Sequence, residues 1–131
     1  MRVEGWEQLL DRFLAESQSI AFQWGEMDCA LWCGDWVARC TGEDHTATFR
    51  GTYTTDIGAA QRLIDEGFAD LPALFDYYLT PVAVEFAQRG DIVWLDQGAA
   101  GIVAGRHAFF LTQDAGLAPG PLTSCTKAWR V

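Results

Sequence analysis

Apolar positions near the amino terminus recur at the spacing of a helix. Trp6, Leu9, Leu10 and Phe13 repeat every three to four residues between polar neighbours. One apolar face at this spacing is typical of an amphipathic helix. The pattern predicts a first helix over residues 4–16.

Three further helices are predicted before residue 80. The second covers residues 29–40, where Asp28 is suited to accept a helix-start N–H and Gly42 follows the end. Its apolar stripe contains Cys29, Cys33, Trp36, Val37 and Cys40. Asp56 predicts a cap for a third helix ending at Gly67, and Asp70 predicts a cap for a fourth over residues 71–79. Residues 42–55 show no period and predict an ordered loop.

Beyond residue 80 the pattern changes to short β-prone runs between glycine-containing turns. The predicted strands cover residues 82–86, 91–95, 101–104, 107–111 and 127–131. The proline- and glycine-rich segment 116–121 predicts a rigid exposed connection. Helices followed by an antiparallel sheet indicate the α+β class, and the length predicts a single domain over residues 1–131.

The charge of the chain narrows its expected partners. Lys and Arg total 9 against 18 Asp and Glu, so the formal net charge is −9 and the chain repels phosphate backbones. We therefore expect no nucleic-acid partner.

No apolar run approaches the ~18 residues of a membrane span, and no basic stretch precedes an apolar one at the amino terminus. We expect no membrane span and no export signal, with synthesis in the cytoplasm.

The cysteines are expected to be free thiols. Of the four, Cys29, Cys33 and Cys40 share the second predicted helix and Cys125 is remote. A rise of about 1.5 Å per residue separates Cys29 from Cys40 by about 16 Å, too far for one metal to collect all four. Cys33 and Cys40 are likewise too far apart for a disulfide. We expect no metal and no cofactor.

Cys29 is the candidate nucleophile. It opens a predicted helix directly after Asp28. The partial positive charge at a helix start favours a thiolate. A buried structural cysteine is the alternative that the local pattern leaves open.

The order of motifs along the chain resembles the NlpC/P60 branch of the papain-like cysteine peptidases. Asp28-Cys29 at a helix start is followed by Gly90-Asp91 at a strand start and by Gly101-Ile102 on the next strand. The match is closer to a phage and prophage subgroup with a Trp-Gly-x-x-Asp-Cys segment. The residues that carry this second likeness are Trp24, Gly25, Asp28, Cys29, Arg50, Gly51, Tyr53 and the terminal Ala128-Trp129-Arg130-Val131.

The resemblance implies a papain-like NlpC/P60 fold in which the Cys29 helix packs beneath the strand that begins at Asp91. It also implies a general base at the first position of a His-x-Gly-Ile motif, which here is Ala99. Of the two histidines, His107 is one hairpin turn downstream and is a candidate displaced base, whereas His45 has no counterpart in the motif. Asp91 is expected to hold the turn at its strand start.

The function implied by the resemblance is a structural component of the tail tip of a long-tailed bacteriophage or prophage. In that role a degenerate cell-wall peptidase fold is a docking module inside the virion, with hub, central fibre or tip attachment proteins as partners. Arg50, Tyr53 and Trp129 are candidate partner contacts, although burial of Trp129 in its own core is equally open. One alternative is an active cysteine endopeptidase that cleaves peptidoglycan stem peptides during DNA delivery, using Cys29 and His107. Another is a cytoplasmic assembly factor absent from the mature particle.

Overall fold

The computed structural model describes residues 1–131 and confirms the α+β class, with four α-helices followed by a six-stranded antiparallel sheet. The helices are α1 Trp6–Ser17, α2 Cys29–Thr41, α3 Asp56–Asp65 and α4 Leu71–Tyr78. The strands are β1 Thr80–Val82, β2 Ile92–Leu95, β3 Ala99–Val103, β4 His107–Thr112, β5 Gly116–Pro121 and β6 Cys125–Arg130. Their order across the sheet is β1-β6-β2-β3-β4-β5.

Helix ends follow local capping chemistry. The Asp28 carboxylate accepts the Leu31 N–H at 3.0 Å, and that of Asp70 accepts the Ala73 N–H at 2.9 Å, as predicted. The cap of α3 is Thr55, not Asp56, because Thr55 has the extended backbone of a cap while Asp56 is already helical. The Thr55 hydroxyl accepts the Gly58 N–H at 3.0 Å.

The prediction of a strand over residues 82–86 is wrong. Only Thr80–Val82 pairs with β6, and Val84–Phe86 forms a short 3₁₀ helix. The sheet order gives the reason. Because β1 and β2 lie on opposite sides of β6, the chain must turn out of the sheet to pass from one to the other.

The segment predicted as a rigid exposed connection is the edge strand β5, which pairs with β4 along its whole length. The His107 carbonyl accepts the Ala104 N–H at 2.8 Å, so the backbone polar groups of His107 face β3. Pro121, which lies opposite His107, therefore faces the outer edge, and so does Pro119 two residues earlier. Proline is tolerated there because no N–H is needed.

The main core lies between the helices and one face of the sheet. The sheet contributes Ile92, Ala100, Ile102, Leu111 and Trp129, and the helices contribute chiefly Leu10, Phe13, Leu31, Trp32, Trp36 and Leu74. Helix α2 lies mainly over β3 and β4, which corrects the expectation that it packs beneath the strand after Asp91. Near that strand, the Trp36 indole donates to the Gly90 carbonyl at 2.8 Å.

The other face of the sheet buries a smaller cluster formed by Val93, Val103, Ala108, Phe110, Cys125 and Ala128. Val84, Ala87 and Leu122, in or beside the two short 3₁₀ helices, pack against it. Neither face of the sheet is therefore open to solvent at its centre.

No helix is both long and apolar enough to cross a membrane.

Candidate functional site

Cys29 lines an apolar cleft of about 230 Å³. It is the first residue of α2, and the residue is partly exposed although its sulfur is buried. The cleft lining includes Trp24, Phe49, Leu63, Leu71, Leu74 and Trp94. A thiol is thus presented among apolar walls contributed by α2, α3, α4 and β2.

Asp28 organises the turn that precedes Cys29. Its carboxylate accepts the Gly25 N–H at 3.1 Å and the Leu31 N–H at 3.0 Å, and the Tyr53 hydroxyl also donates to it. The side chain is buried and all of these donors converge on it. Asp28 is therefore a structural anchor, because both of its carboxylate oxygens accept hydrogen bonds from within the chain.

Two of the three segments that carry the phage-subgroup likeness, Trp24–Cys29 and Arg50–Tyr53, are joined by hydrogen bonds. The Gly51 N–H donates to the Gly25 carbonyl at 2.7 Å. Arg50 donates to the Glu26 carbonyl at 2.9 Å and to the Asp35 carboxylate at 2.5 Å. Arg50 and Tyr53, predicted as partner contacts, are therefore engaged within the chain itself.

Only glycine fits at position 25. Its φ is +81°, and a Cβ there would lie 1.8 Å from the Tyr53 carbonyl oxygen. Residue 25 must therefore lack a side chain for the Tyr53 loop to close over the Cys29 turn.

The Cys29 thiol is held in its neutral form. Burial raises its pKa to about 11, the nearby Asp28 charge adds to the rise, and a hydrogen bond with the Ala100 backbone only partly offsets them. The expectation that the helix start favours a thiolate is wrong here, because desolvation of the sulfur outweighs the helix-start potential. Burial and the Asp28 carboxylate also raise the pKa of Tyr53, so its phenol remains a proton donor.

His107 does not reach the cleft. The pairing of β3 with β4 sets Gly101 opposite Phe110 and Val103 opposite Ala108. Continuing that register sets Thr112, not His107, opposite Ala99. His107 lies five residues further along β4, about 17 Å at ~3.3 Å per residue. His107 is not among the residues that line the Cys29 cleft, so this geometry does not favour the candidate displaced base.

His45 is also distant from the thiol. Its ring stacks on Tyr78 at 4.3 Å between centroids, and its Nε2 lies 3.6 Å from a Glu43 carboxylate oxygen. It borders a groove shared with Val37 and Thr41, at the opposite end of α2 from Cys29. No imidazole therefore lies beside the sulfur.

The strand register also corrects the expected position of a base. Ala99 packs with the Val93 cluster, whereas Ala100 packs with the helices and contacts the Cys29 sulfur through its backbone. A side chain at position 99 points to the face of the sheet away from Cys29. A linear order of motifs does not indicate which face of the sheet a side chain occupies.

Asp91 holds its turn as predicted, by accepting the Gln88 N–H at 2.9 Å. It also accepts hydrogen bonds from Arg2 at 2.6 Å and from Arg130 at 2.9 Å, although its own side chain is fully buried. The neighbouring Gly90 has a φ of +87° and donates to the Val103 carbonyl at 2.8 Å. Gly90-Asp91 is thus a structural junction and lies outside the cleft.

Trp129 is not a surface contact. It is 1% exposed, and its indole donates to the Asp76 carboxylate at 2.8 Å. The sequence did not predict the hydrogen bonds of Arg2 and Asp76, because nothing near a single charged residue indicates its distant partner.

No group of three or more His, Cys, Asp or Glu side chains is arranged to hold a metal, and the four cysteines are unpaired.

The fold and the cleft define a small α+β protein with a neutral thiol at a helix start. Residues 1–131 match the family described as a domain of unknown function, DUF6950, and the chain belongs to that family. No curated protein and no solved structure matches the sequence.

Proposed function

We propose that the chain is a catalytically inactive relative of the NlpC/P60 cysteine peptidases that serves as a docking module. The observation that carries this proposal is the Cys29 cleft, in which a thiol opens a helix packed on an antiparallel sheet but no imidazole lies nearby. The order of helices and strands supports a papain-like NlpC/P60 fold.

The chemistry of the cleft argues against peptide hydrolysis. With a pKa of about 11, about one Cys29 thiol in ten thousand is ionised at pH 7. A positioned acid or base typically contributes 10²–10⁴-fold in rate, and neither histidine is placed to supply it. The cleft presents a thiol among apolar walls, and no histidine is among its lining residues.

The proposed setting is the tail tip of a long-tailed bacteriophage or prophage, with other tail-tip proteins as partners. It rests on the likeness of the Trp24–Cys29 and Arg50–Tyr53 segments to a phage subgroup of NlpC/P60 proteins. The hydrogen bonds between these two segments support the proposed setting, because the residues that resemble the phage subgroup then form one connected part of the molecule.

Quantitative mass spectrometry of purified phage particles tests the setting. Particles induced from a strain that carries the gene should contain the chain at a fixed ratio to the major tail protein. Finding the chain only in the unassembled fraction of the lysate would replace this proposal with a cytoplasmic assembly factor.

The position of Cys29, at a helix start and in the lining of a cleft, favours a second candidate function, an active peptidoglycan endopeptidase. Release of new amines from purified cell wall separates the two functions, with Cys29→Ala and His107→Ala as comparison variants. We expect no release by the wild type. We also expect none from Ala99→His, since that side chain faces away from the sulfur. Wild-type cleavage that Cys29→Ala abolishes would establish the peptidase instead.

A further inference from the structure

An aromatic cluster stands exposed at the carboxyl end of α4. Tyr77 is 73% exposed and Tyr78 is 42% exposed, and their rings meet edge to face at 4.8 Å between centroids. Phe68 packs against both, at 5.7 Å from Tyr77 and 6.1 Å from Tyr78. The cluster therefore presents ring surface that the core does not use.

The rings border a groove of about 390 Å³ that has one charged group in its lining. Besides Phe68, Tyr77 and Tyr78, the groove is lined chiefly by Thr48, Phe49 and Glu66. The Glu66 side chain is 39% exposed. A carboxylate beside several aromatic faces is the chemistry that attracts a cation, since both the charge and the ring quadrupoles are favourable to it.

The same corner of the molecule already accommodates one guanidinium. Arg62 lies over the Phe49 ring at 5.6 Å from its centroid and donates to Glu66 at 3.2 Å. This intramolecular contact shows that the spacing between the Phe49 ring and the Glu66 carboxylate suits a planar cation. It occupies Phe49 and one Glu66 oxygen, whereas the Tyr77 ring remains 73% exposed.

We propose that the groove formed by Phe68, Tyr77, Tyr78 and Glu66 binds an arginine side chain of a partner protein. The net charge of −9 favours approach of a basic segment, and the exposed Tyr77 ring together with Glu66 gives it a specific site. This site goes beyond the proposed function. It lies at the end of α4 away from Cys29, and only Phe49 borders both the cleft and the groove.

NMR titration of the full chain with acetyl-triarginine amide, followed at the tyrosine ring protons, tests the site. The neutral control peptide replaces each arginine by citrulline, which keeps the shape and removes the charge. We expect the arginine peptide to shift the Tyr77 and Tyr78 signals and to bind at least about fivefold more tightly than the citrulline peptide.

The variants separate the site from general electrostatic attraction. Tyr77→Ala leaves the net charge unchanged and should weaken binding about fivefold, whereas Tyr77→Phe keeps the ring and most of the affinity. Phe86→Ala is the matched control, because Phe86 is 71% exposed and lies outside the groove. The Phe86→Ala variant should bind the arginine peptide as tightly as the wild type does. Glu66→Gln should weaken binding and reduce its salt dependence.

Three outcomes would overturn the site. Equal affinity for both peptides would indicate an apolar contact, and unchanged affinity in Tyr77→Ala would indicate attraction by net charge alone. Tighter binding of an N-acetylglucosamine trimer to the same rings would indicate a glycan site. Thermal melts of each variant confirm folding. None of these results depends on particle content or cell-wall cleavage, so this site and the proposed function can fail separately.

Discussion

At the scale of single residues, Cys29 combines two opposing influences. A helix start stabilises a thiolate, while removal of the sulfur from water and the adjacent Asp28 charge destabilise it. The raised pKa of about 11 shows that the second influence is the larger. Cys29, which its place in the sequence suggests is reactive, is therefore almost entirely in the unreactive thiol form at neutral pH.

We predict that iodoacetamide modifies Cys29 slowly at pH 7 and that the rate rises with pH toward about 11. The sign follows from the reactive species, because raising the pH removes the thiol proton and only the thiolate attacks. Peptide mass spectrometry after timed labelling measures the rate at Cys29 across a pH series, with glutathione as the exposed reference thiol. A midpoint at or below pH 9 would contradict the burial of this sulfur.

At the scale of elements, the start of α2 is held more firmly than an ordinary helix cap. Asp70 caps α4 through one N–H, whereas Asp28 accepts from the Gly25 and Leu31 N–H groups and from Tyr53. The difference arises because Asp28 is buried and Asp70 is exposed. The cap of α2 is thus also the point at which the Tyr53 loop is fixed.

We predict that Asp28→Ala lowers the free energy of unfolding by about 3 kcal/mol, because it removes a cap and leaves the Gly25 N–H and the Tyr53 hydroxyl without an acceptor. The matched control, Asp70→Ala, should cost about 1 kcal/mol. Urea unfolding followed by tryptophan fluorescence measures both. Equal losses would mean that the buried donors find other acceptors.

The helix boundaries were predictable because Asp28, Asp70 and Gly42 act on their immediate neighbours. Strand features depend on distant partners. The 3₁₀ turn after Val82 follows from the sheet order, and the pairing of residues 116–121 follows from the outward position of their prolines. The position of His107 and the face of Ala99 depend on strand register, which a linear motif does not encode.

The candidate site was predictable only in part. The sequence located Cys29, its Asp28 cap and the two segments that form its surroundings. It did not predict that Arg50 and Tyr53 form hydrogen bonds within the chain, since no local pattern distinguishes a loop that binds a partner from one that closes a turn. The cleft walls come from four separate elements and become adjacent only in the fold.

At the scale of the whole molecule, Asp91 connects both ends of the chain to the sheet. Arg2 near the amino terminus and Arg130 near the carboxyl terminus donate to its fully buried carboxylate. Removing the Asp91 charge is costly because the Arg2 guanidinium, which is only 13% exposed, would remain largely desolvated without a counter-ion. This junction therefore matters more for stability than the exposed ion pairs of the surface.

We predict that Asp91→Asn lowers the free energy of unfolding by about 3–5 kcal/mol. Asp11→Asn is the control, since it breaks the exposed Arg89–Asp11 pair of 2.8 Å and should cost less than about 1 kcal/mol. Thermal and urea unfolding of the three proteins give the comparison. Similar stability of the two variants would show that Arg2 and Arg130 are not held by the carboxylate charge.

The prolines of β5 restrict how the molecule can associate. The positions of its outer edge are Leu117, Pro119 and Pro121, of which only Leu117 has an N–H. The opposite edge is β1, which is three residues long with Pro81 at its centre. A strand from another chain would find few donors at either side, so strand addition and edge-to-edge polymerisation are disfavoured. Partners must be recruited through side chains, and copies of the chain can be packed at high local concentration without their sheets merging.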